Sequence, residues 1–239
     1  MKSYSRITRS NQNRQNIKLN YCLKKNLQKN FTPRINSSTI KLCDQIQYFK
    51  DQQIPIVLDN GCGNGFSSFW LANKNPQAII FGVDRAKRFV SNKLPPNLIF
   101  ARAELAQLWK LLWEREIEIS KSFLLYPNPW PKSKHLRRRW HAHPAFKYLT
   151  CITKYLEIRT NWKIYGEEAY SALKLLTNNE ITFKEFLPAP PISLHEKKYT
   201  VSGHCLFKLV SKNNSGAKAN SHLGLRLLDH QKMIHGNLS

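Results

Sequence analysis

The sequence predicts an α/β fold with a mainly parallel, doubly wound sheet that ends in a C-terminal antiparallel hairpin. Three observations predict it: short apolar runs alternate with segments of helical periodicity, a glycine turn joins the first run to the first helix, and only a proline-rich loop separates the last two runs. Alternating strands and helices are typical of a parallel sheet covered by helices on both faces.

The elements follow in order along the chain. Apolar or β-branched runs of strand length lie at residues 54–58, 78–83, 97–101, 122–126, 161–164, 182–186 and 204–210. Helical spacing of apolar residues predicts helices at residues 66–73, 104–116, 145–158 and 169–176. The second of these repeats leucine at 105, 108, 111 and 112. The regular pattern places one core domain at residues 46–211.

The two ends of the chain differ from this core in composition. Residues 1–45 contain no acid before Asp44 and are rich in Asn, Gln, Lys and Arg, which predicts a basic, partly disordered N-terminal arm. Residues 212–239 predict a polar C-terminal tail. No apolar run reaches the length of roughly 18 residues that a membrane span needs, so we expect no membrane partner.

Charge and cysteine content bound the partners and the compartment. Lys and Arg number 38 against 15 Asp and Glu, a formal net charge of +23. Such a balance predicts a polyanionic partner, nucleic acid above all, although a generally basic proteome would also produce it. The five cysteines lack the spacing of a zinc site or a disulfide framework. We therefore expect a cytoplasmic protein without metal, either a monomer or a homodimer.

A glycine turn follows the first predicted strand. Its sequence, Asp59-Asn-Gly-Cys-Gly-Asn-Gly65, lacks the glycine at residue 66 that a dinucleotide fingerprint needs and the Gly-Lys-Ser/Thr of a P-loop. Asp84 ends the second strand and Glu104 follows the third. A carboxylate at the first position can accept hydrogen bonds from both hydroxyls of a ribose, and one at the second can face an adenine amino group.

This arrangement, Asp-x-Gly-x-Gly-x-Gly followed by an acid after each of the next two strands, resembles the class I S-adenosylmethionine-dependent methyltransferases. The resemblance implies their Rossmann-like fold and S-adenosylmethionine as the cofactor. It also implies a set of cofactor-binding residues: Asp59, Gly61, Gly63, Gly65, Asp84, Glu104 and Asn128.

The segment after the fourth strand is more specific. Pro127-Asn-Pro-Trp-Pro-Lys-x-Lys-His-x-x-Arg-Arg139 closely resembles the Pro-Asp-Pro-Trp-Pro-Lys-x-Arg-His-x-Lys-Arg-Arg signature of bacterial tRNA (guanine-N7)-methyltransferases. Further matches in consistent order extend the resemblance over about residues 54–210. It implies methyl transfer to N7 of a guanosine in tRNA, guanosine 46 of the variable loop, with Asn128 as the catalytic residue. It also implies substrate-binding residues: Lys132, Lys134, His135, Arg137, Arg138, Arg139, Gly166, Glu168, Ser193 and Glu196.

The sequence departs from the family pattern at the guanine end of the site. Asn128 and Gly166 stand where the family has acids, and Ser193 replaces a threonine. A carboxylate suits the guanine edge better than an amide does, because it accepts from both N1–H and the exocyclic amine. We therefore expect reduced activity. Two alternatives stay open: Asn128 preserves the turn through its own backbone contacts, and the chain binds tRNA with a vestigial, inactive pocket.

Overall fold

Seven strands form one sheet in this computed structural model, which describes residues 5–86 and 93–213. The strands are β1 Ile56–Asn60, β2 Ile79–Asp84, β3 Leu98–Arg102, β4 Ile119–Leu125, β5 Thr153–Thr160, β6 Glu180–Glu185 and β7 Phe207–Lys212. The helices are α1 Leu19–Gln28, α2 Ser37–Asp51, α3 Phe66–Lys74, α4 Leu105–Glu114, α5 Phe146–Ile152, α6 Lys163–Leu176 and α7 Leu194–Val201. Two short 3-10 helices, Ser133–Arg138 and Trp140–Ala142, lie between β4 and α5.

The strand order β3-β2-β1-β4-β5-β7-β6 confirms the predicted fold class. Strands β1 to β5 pair in parallel, whereas β7 pairs antiparallel with both β5 and β6. The order reverses at β1, which lies between β2 and β4. Ligands of open α/β sheets bind at such a switch point, outside the carboxyl ends of the strands.

Burial on both faces of the sheet explains the apolar composition of the central strands. All five residues of β1 are buried, and in β2 only the two terminal residues are partly exposed. Strands of a parallel sheet covered on both sides read as continuous apolar runs because neither face meets water. The apolar runs therefore located β1 to β4 correctly, to within a few residues at each end.

The predictions for residues 145–164 were wrong. Helix α5 ends at Ile152, the fifth strand occupies Thr153–Thr160, and residues 161–164 lead into α6. Within β5, the Glu157 and Arg159 side chains are buried and pair with each other at 2.6 Å. This buried pair looked like the polar face of a helix, because its two charges interrupt the apolar alternation of the strand.

The N-terminal arm is more ordered than its composition predicted. Helix α2 crosses the expected boundary at residue 45, and Leu19, Leu23, Leu42 and Ile46 are buried in the main core. The leucine pairs at helical spacing were a signal of these helices. Within the predicted tail, residues 214–239 lie outside the described residues.

Across residues 5–86 and 93–213, the model contains no helix with the length and apolar character of a membrane span.

Candidate cofactor and substrate site

A cavity of about 790 Å³ lies at the carboxyl ends of β1, β2 and β4. The glycine turn and Asp84 line one side, and the loop that carries Asn128 and Trp130 lines another. The N-terminus of α7 also contributes, through Ser193. The volume is in the usual range for small-molecule sites, roughly 300–1,000 Å³. The topology thus brings together motifs that lie far apart in the sequence.

The three glycines of the turn have left-handed backbones, but only two of them line the cavity. Gly61 and Gly63 have φ angles of 76° and 59°, and a Cβ added to either would meet no atom within 4 Å. Gly65, with φ 89°, faces inward, where a Cβ would lie 2.2 Å from the Phe100 ring. Gly61 and Gly63 therefore leave an open backbone surface for a ligand, whereas Gly65 permits packing of α3 against β3.

Asp59 lies beneath this turn. The Asp59 carboxylate is buried, and its Oδ2 accepts hydrogen bonds from the Ser67 and Ser68 hydroxyls, both at 2.6 Å. Burial raises the pKa of Asp59 to about 6, although the two serine hydrogen bonds oppose that shift. Since its carboxylate faces α3, Asp59 ties the turn to the start of that helix.

The two acids that follow the second and third strands both line the cavity. Asp84 accepts from the Gly63 N–H at 2.9 Å through Oδ2 and from the Ala86 N–H at 2.8 Å through Oδ1. This fixes the carboxylate beside the glycine turn while each oxygen keeps a free lone pair. Glu104 immediately precedes α4, and its side chain is 43% exposed, with Arg85 Nε at 3.8 Å.

These residues fit S-adenosylmethionine. Open glycine backbone accommodates a close ligand, and two carboxylates at neighbouring strand ends can accept hydrogen bonds from ribose hydroxyls and an adenine amine. When bound, S-adenosylmethionine supplies a methyl group on a positively charged sulfur.

The loop after β4 is held in a strained conformation. Tyr126 and Trp130 have φ angles of 51° and 45°, which non-glycine residues rarely adopt. The exposed Asn128 accepts a hydrogen bond from the Trp130 N–H through Oδ1 at 3.2 Å. Asn128 thus supports the turn as well as lining the cavity.

A buried network fixes the start of this loop. The Tyr126 hydroxyl donates to Glu196 Oε1 at 2.7 Å, and Arg159 donates to the same oxygen at 2.8 Å. Glu196 Oε2 accepts from the Ile192 N–H at 2.6 Å, and the Ser193 hydroxyl caps α7 by accepting from the Glu196 N–H at 3.1 Å. Ser193 lines the cavity, whereas Glu196 is fully buried and positions the cavity wall.

A second buried network corrects the prediction for Arg139. Arg139 is fully buried, contacts Glu168 Oε2 at 2.5 Å and lies over the Trp162 ring at 4.8 Å. It also donates to the Trp130 carbonyl at 3.2 Å. Arg139 and Glu168 therefore hold the loop from within and do not face an RNA phosphate.

His141 completes the same network. Its Nε2 lies 2.9 Å from Glu168 Oε2, and burial lowers the pKa of His141, so it is neutral at pH 7 and donates to the carboxylate. Gly166 lies one turn away on α6, where an added Cβ would come within 2.4 Å of the Phe183 ring. An acid would not fit there without rearrangement, so Gly166 serves packing in this chain.

The remaining basic residues of the loop are accessible. Lys132, Lys134, Arg137 and Arg138 are exposed, and His135 is partly exposed. Arg138 lies over the Trp130 ring at 4.8 Å, and both residues line the cavity. Four of the five cations of this run are thus available to an anionic ligand.

Some residues of the cavity wall were not predicted. His195 and Lys198 on α7 and Asn60 at the end of β1 all line it. Asn60 Oδ1 accepts from the Trp109 indole at 2.8 Å, and its amide donates to the Phe123 carbonyl at 3.0 Å. The Ser193–Glu196 motif was the available signal for the α7 residues, since it marks a helix start beside the site. Nothing in the sequence singled out Asn60.

Solved structures agree with this fold. The 16S rRNA methyltransferase KamB is 13% identical, with coverage of 75% of this chain and 94% of its own and a TM-score of 0.52. An antibiotic-related methyltransferase is 15% identical, with coverage of 78% and 97% and a TM-score of 0.51. The likeness, together with the strand order and the glycine turn, defines the fold of a class I S-adenosylmethionine-dependent methyltransferase.

Sequence comparison identifies the family. A family model described as "Putative methyltransferase" matches residues 53–209. The tRNA (guanine-N(7)-)-methyltransferase of Pediococcus pentosaceus is 32% identical over 146 residues, which cover 58% of this chain and 67% of the relative. The protein of the same name from Burkholderia ambifaria is 24% identical over 175 residues, 68% of each chain. The chain belongs to this methyltransferase family as a divergent member, and its cofactor is S-adenosylmethionine.

Proposed function

We propose that this protein transfers a methyl group from S-adenosylmethionine to N7 of a guanosine in tRNA, namely guanosine 46 of the variable loop. The observation that carries the proposal is the position of the loop 126–139. Its Asn128, Trp130 and Arg138 line the cavity that the glycine turn also lines, and its exposed cations continue outward from there. A guanine held by this loop would lie beside the methyl donor.

The chemistry asks little of the protein in proton transfer. N7 of guanine carries a lone pair and no hydrogen, so its in-line attack on the methyl carbon needs no general base. Proximity and orientation can supply roughly 7–11 kcal/mol for well-aligned partners. The Tyr126–Glu196–Arg159 and Arg139–Glu168 networks suit this task, because they fix both ends of the loop against the sheet.

A direct assay tests the proposal. Unmodified tRNA incubated with the protein and S-adenosylmethionine is expected to gain N7-methylguanosine, detected by mass spectrometry of the digested nucleosides. A chain that binds tRNA and the cofactor yet forms no N7-methylguanosine would contradict the proposal. That result would support the second candidate, a tRNA-binding protein with an inactive pocket, which the engagement of Asn128 Oδ1 in its own turn favours.

Restoring the family's acid is expected to raise turnover. Asn128→Asp can keep the hydrogen bond from the Trp130 N–H and adds a charge that strengthens hydrogen bonds to a guanine edge. Charge-assisted hydrogen bonds contribute about 1.5–3 kcal/mol against roughly 1 for neutral ones, so we expect about a tenfold gain in kcat/KM for tRNA. The control is Asn30→Asp, the same change at an exposed residue outside the cavity. Equal rates for the two variants would show that Asn128 acts only in the turn.

A further inference from the structure

A second concave surface lies on the other side of the basic loop. A groove of about 1440 Å³ separates the N-terminal arm from the 3-10 helix Ser133–Arg138. Five exposed cations line it, and none of its described lining residues is acidic. The cations are Arg9, Lys18, Lys132, Lys134 and Arg137. No ion pair within the described residues neutralises them, so the groove has a strongly positive potential.

The groove is a built feature, because hydrogen bonds hold both of its walls together. The Ser10 hydroxyl donates to the Pro131 carbonyl at 2.6 Å, and the Asn16 amide donates to the Ser133 carbonyl at 3.0 Å. Deeper, Gln12 Nε2 and the Asn16 N–H donate to Glu168 Oε1 at 2.7 and 2.9 Å. The arm therefore keeps a fixed distance from the basic 3-10 helix.

Exposed apolar side chains accompany the cations. Tyr21 is 65% exposed and Ile17 is 82% exposed, and both line the groove. Cations with an accessible aromatic ring are the combination by which proteins bind unpaired nucleic acid, because the cations contact phosphates and the ring stacks on a base.

The groove and the cofactor cavity share one wall. Arg137 lines the groove, and the next residue, Arg138, lines the cavity. Trp130, at the cavity, also packs edge-on against His135 of the same 3-10 helix, at 5.6 Å between ring centroids. A polynucleotide strand in the groove would therefore lie beside the entrance to the cavity.

We propose that the groove between the N-terminal arm and the 3-10 helix Ser133–Arg138 binds an unpaired RNA segment, with Arg9 and Lys18 on its phosphates and Tyr21 stacked on a base. The inference rests on the proposed function for the identity of the substrate as RNA. It assigns to the arm a direct part in holding that substrate.

Affinity measurements on the full-length protein test the groove. We expect Tyr21→Ala to weaken tRNA binding about tenfold, in line with the loss of one stacked base, and Tyr21→Phe to restore it. The double variant of Arg9→Ala with Lys18→Ala is expected to flatten the plot of log affinity against log salt by about 0.7 per lost phosphate contact.

Matched controls separate the groove from general charge and folding. Lys24→Ala with Lys25→Ala removes two exposed cations from α1 outside the groove, and Tyr48→Ala removes an exposed tyrosine from α2. The tyrosine control should bind as tightly as the unaltered protein, and the lysine control should keep its salt slope. S-adenosylmethionine affinity and the melting temperature should be unchanged in every variant.

The outcomes for the groove and for the proposed function are distinguishable. If the unaltered protein methylates tRNA and the groove variants bind tRNA like their controls, the groove proposal is overturned while the function stands. If the protein binds tRNA, forms no N7-methylguanosine and loses affinity only in the groove variants, the function fails and the groove is supported.

Discussion

Glu168→Ala is expected to lower the free energy of unfolding by about 3–5 kcal/mol, the usual cost of removing one partner from a buried ion pair. The variant leaves the guanidinium of Arg139, a fully buried residue, without its carboxylate. It also removes the acceptor of Gln12 Nε2 and the Asn16 N–H. Chemical denaturation of the full-length protein measures the loss.

The matched control is Glu167→Ala, on the same helix. Its partly exposed carboxylate lies 3.8 Å from Lys163, a surface ion pair. Such pairs contribute about 0–1 kcal/mol, so the control is expected to change the unfolding free energy by less than about 1 kcal/mol. Equal stability of the two variants would show that the Arg139–Glu168 pair does not hold the arm and the loop.

The same carboxylate gives a pH dependence with a definite sign. Burial alone would raise the pKa of Glu168, but hydrogen bonds from His141 and Arg139 and the arginine charge lower it to about 2. A carboxylate with a lowered pKa in the folded state adds stability above its unfolded pKa. This contribution should be lost as pH falls from about 4.5 to about 2. Glu168→Ala should lack that part of the acid-induced loss.

Gly63→Ala is expected to weaken S-adenosylmethionine binding roughly ten- to a hundredfold. Its Cβ would project into open space at the edge of the cavity, where the cofactor approaches the backbone. Overpacking of a fitted site costs about 1–3 kcal/mol, which corresponds to that range of affinity. Isothermal titration calorimetry with S-adenosylmethionine measures the change.

Gly203→Ala controls for the backbone. Gly203 has φ 71°, a Cβ there would also meet no atom within 4 Å, and the residue lies outside the cofactor cavity. Both variants carry the cost of a left-handed alanine, about 1–2 kcal/mol of stability. Only Gly63→Ala should lose cofactor affinity. Comparable affinities would mean that the cofactor does not approach Gly63.

The sequence predicted the sheet well where local signals and burial agree. Continuous apolar runs located β1 to β4, and the glycine turn located the cavity. The prediction failed at β5 because Glu157 and Arg159 are buried as a pair within a strand. A pattern of hydrophobicity cannot report that two charges are neutralised in the interior, since their pairing depends on the fold.

The same limit applies to the site. The run from Lys132 to Arg139 reads as five equivalent cations, yet the fold buries Arg139 against Glu168 and leaves the other four exposed. The arm was predicted to bury little, because its polar composition hides the leucines of α1 and α2. Its contact with the loop joins residues that are more than a hundred positions apart, which no local pattern encodes.

The central claim is that the methyl group goes to N7 of a guanosine in tRNA. The most direct measurement uses S-adenosylmethionine with an isotope-labelled methyl group and two matched tRNAs, one unmodified and one with 7-deazaguanosine at guanosine 46. The account predicts labelled N7-methylguanosine in the first tRNA and no label in the second, because carbon replaces the accepting nitrogen. Equal labelling of both tRNAs, or of neither, would contradict it.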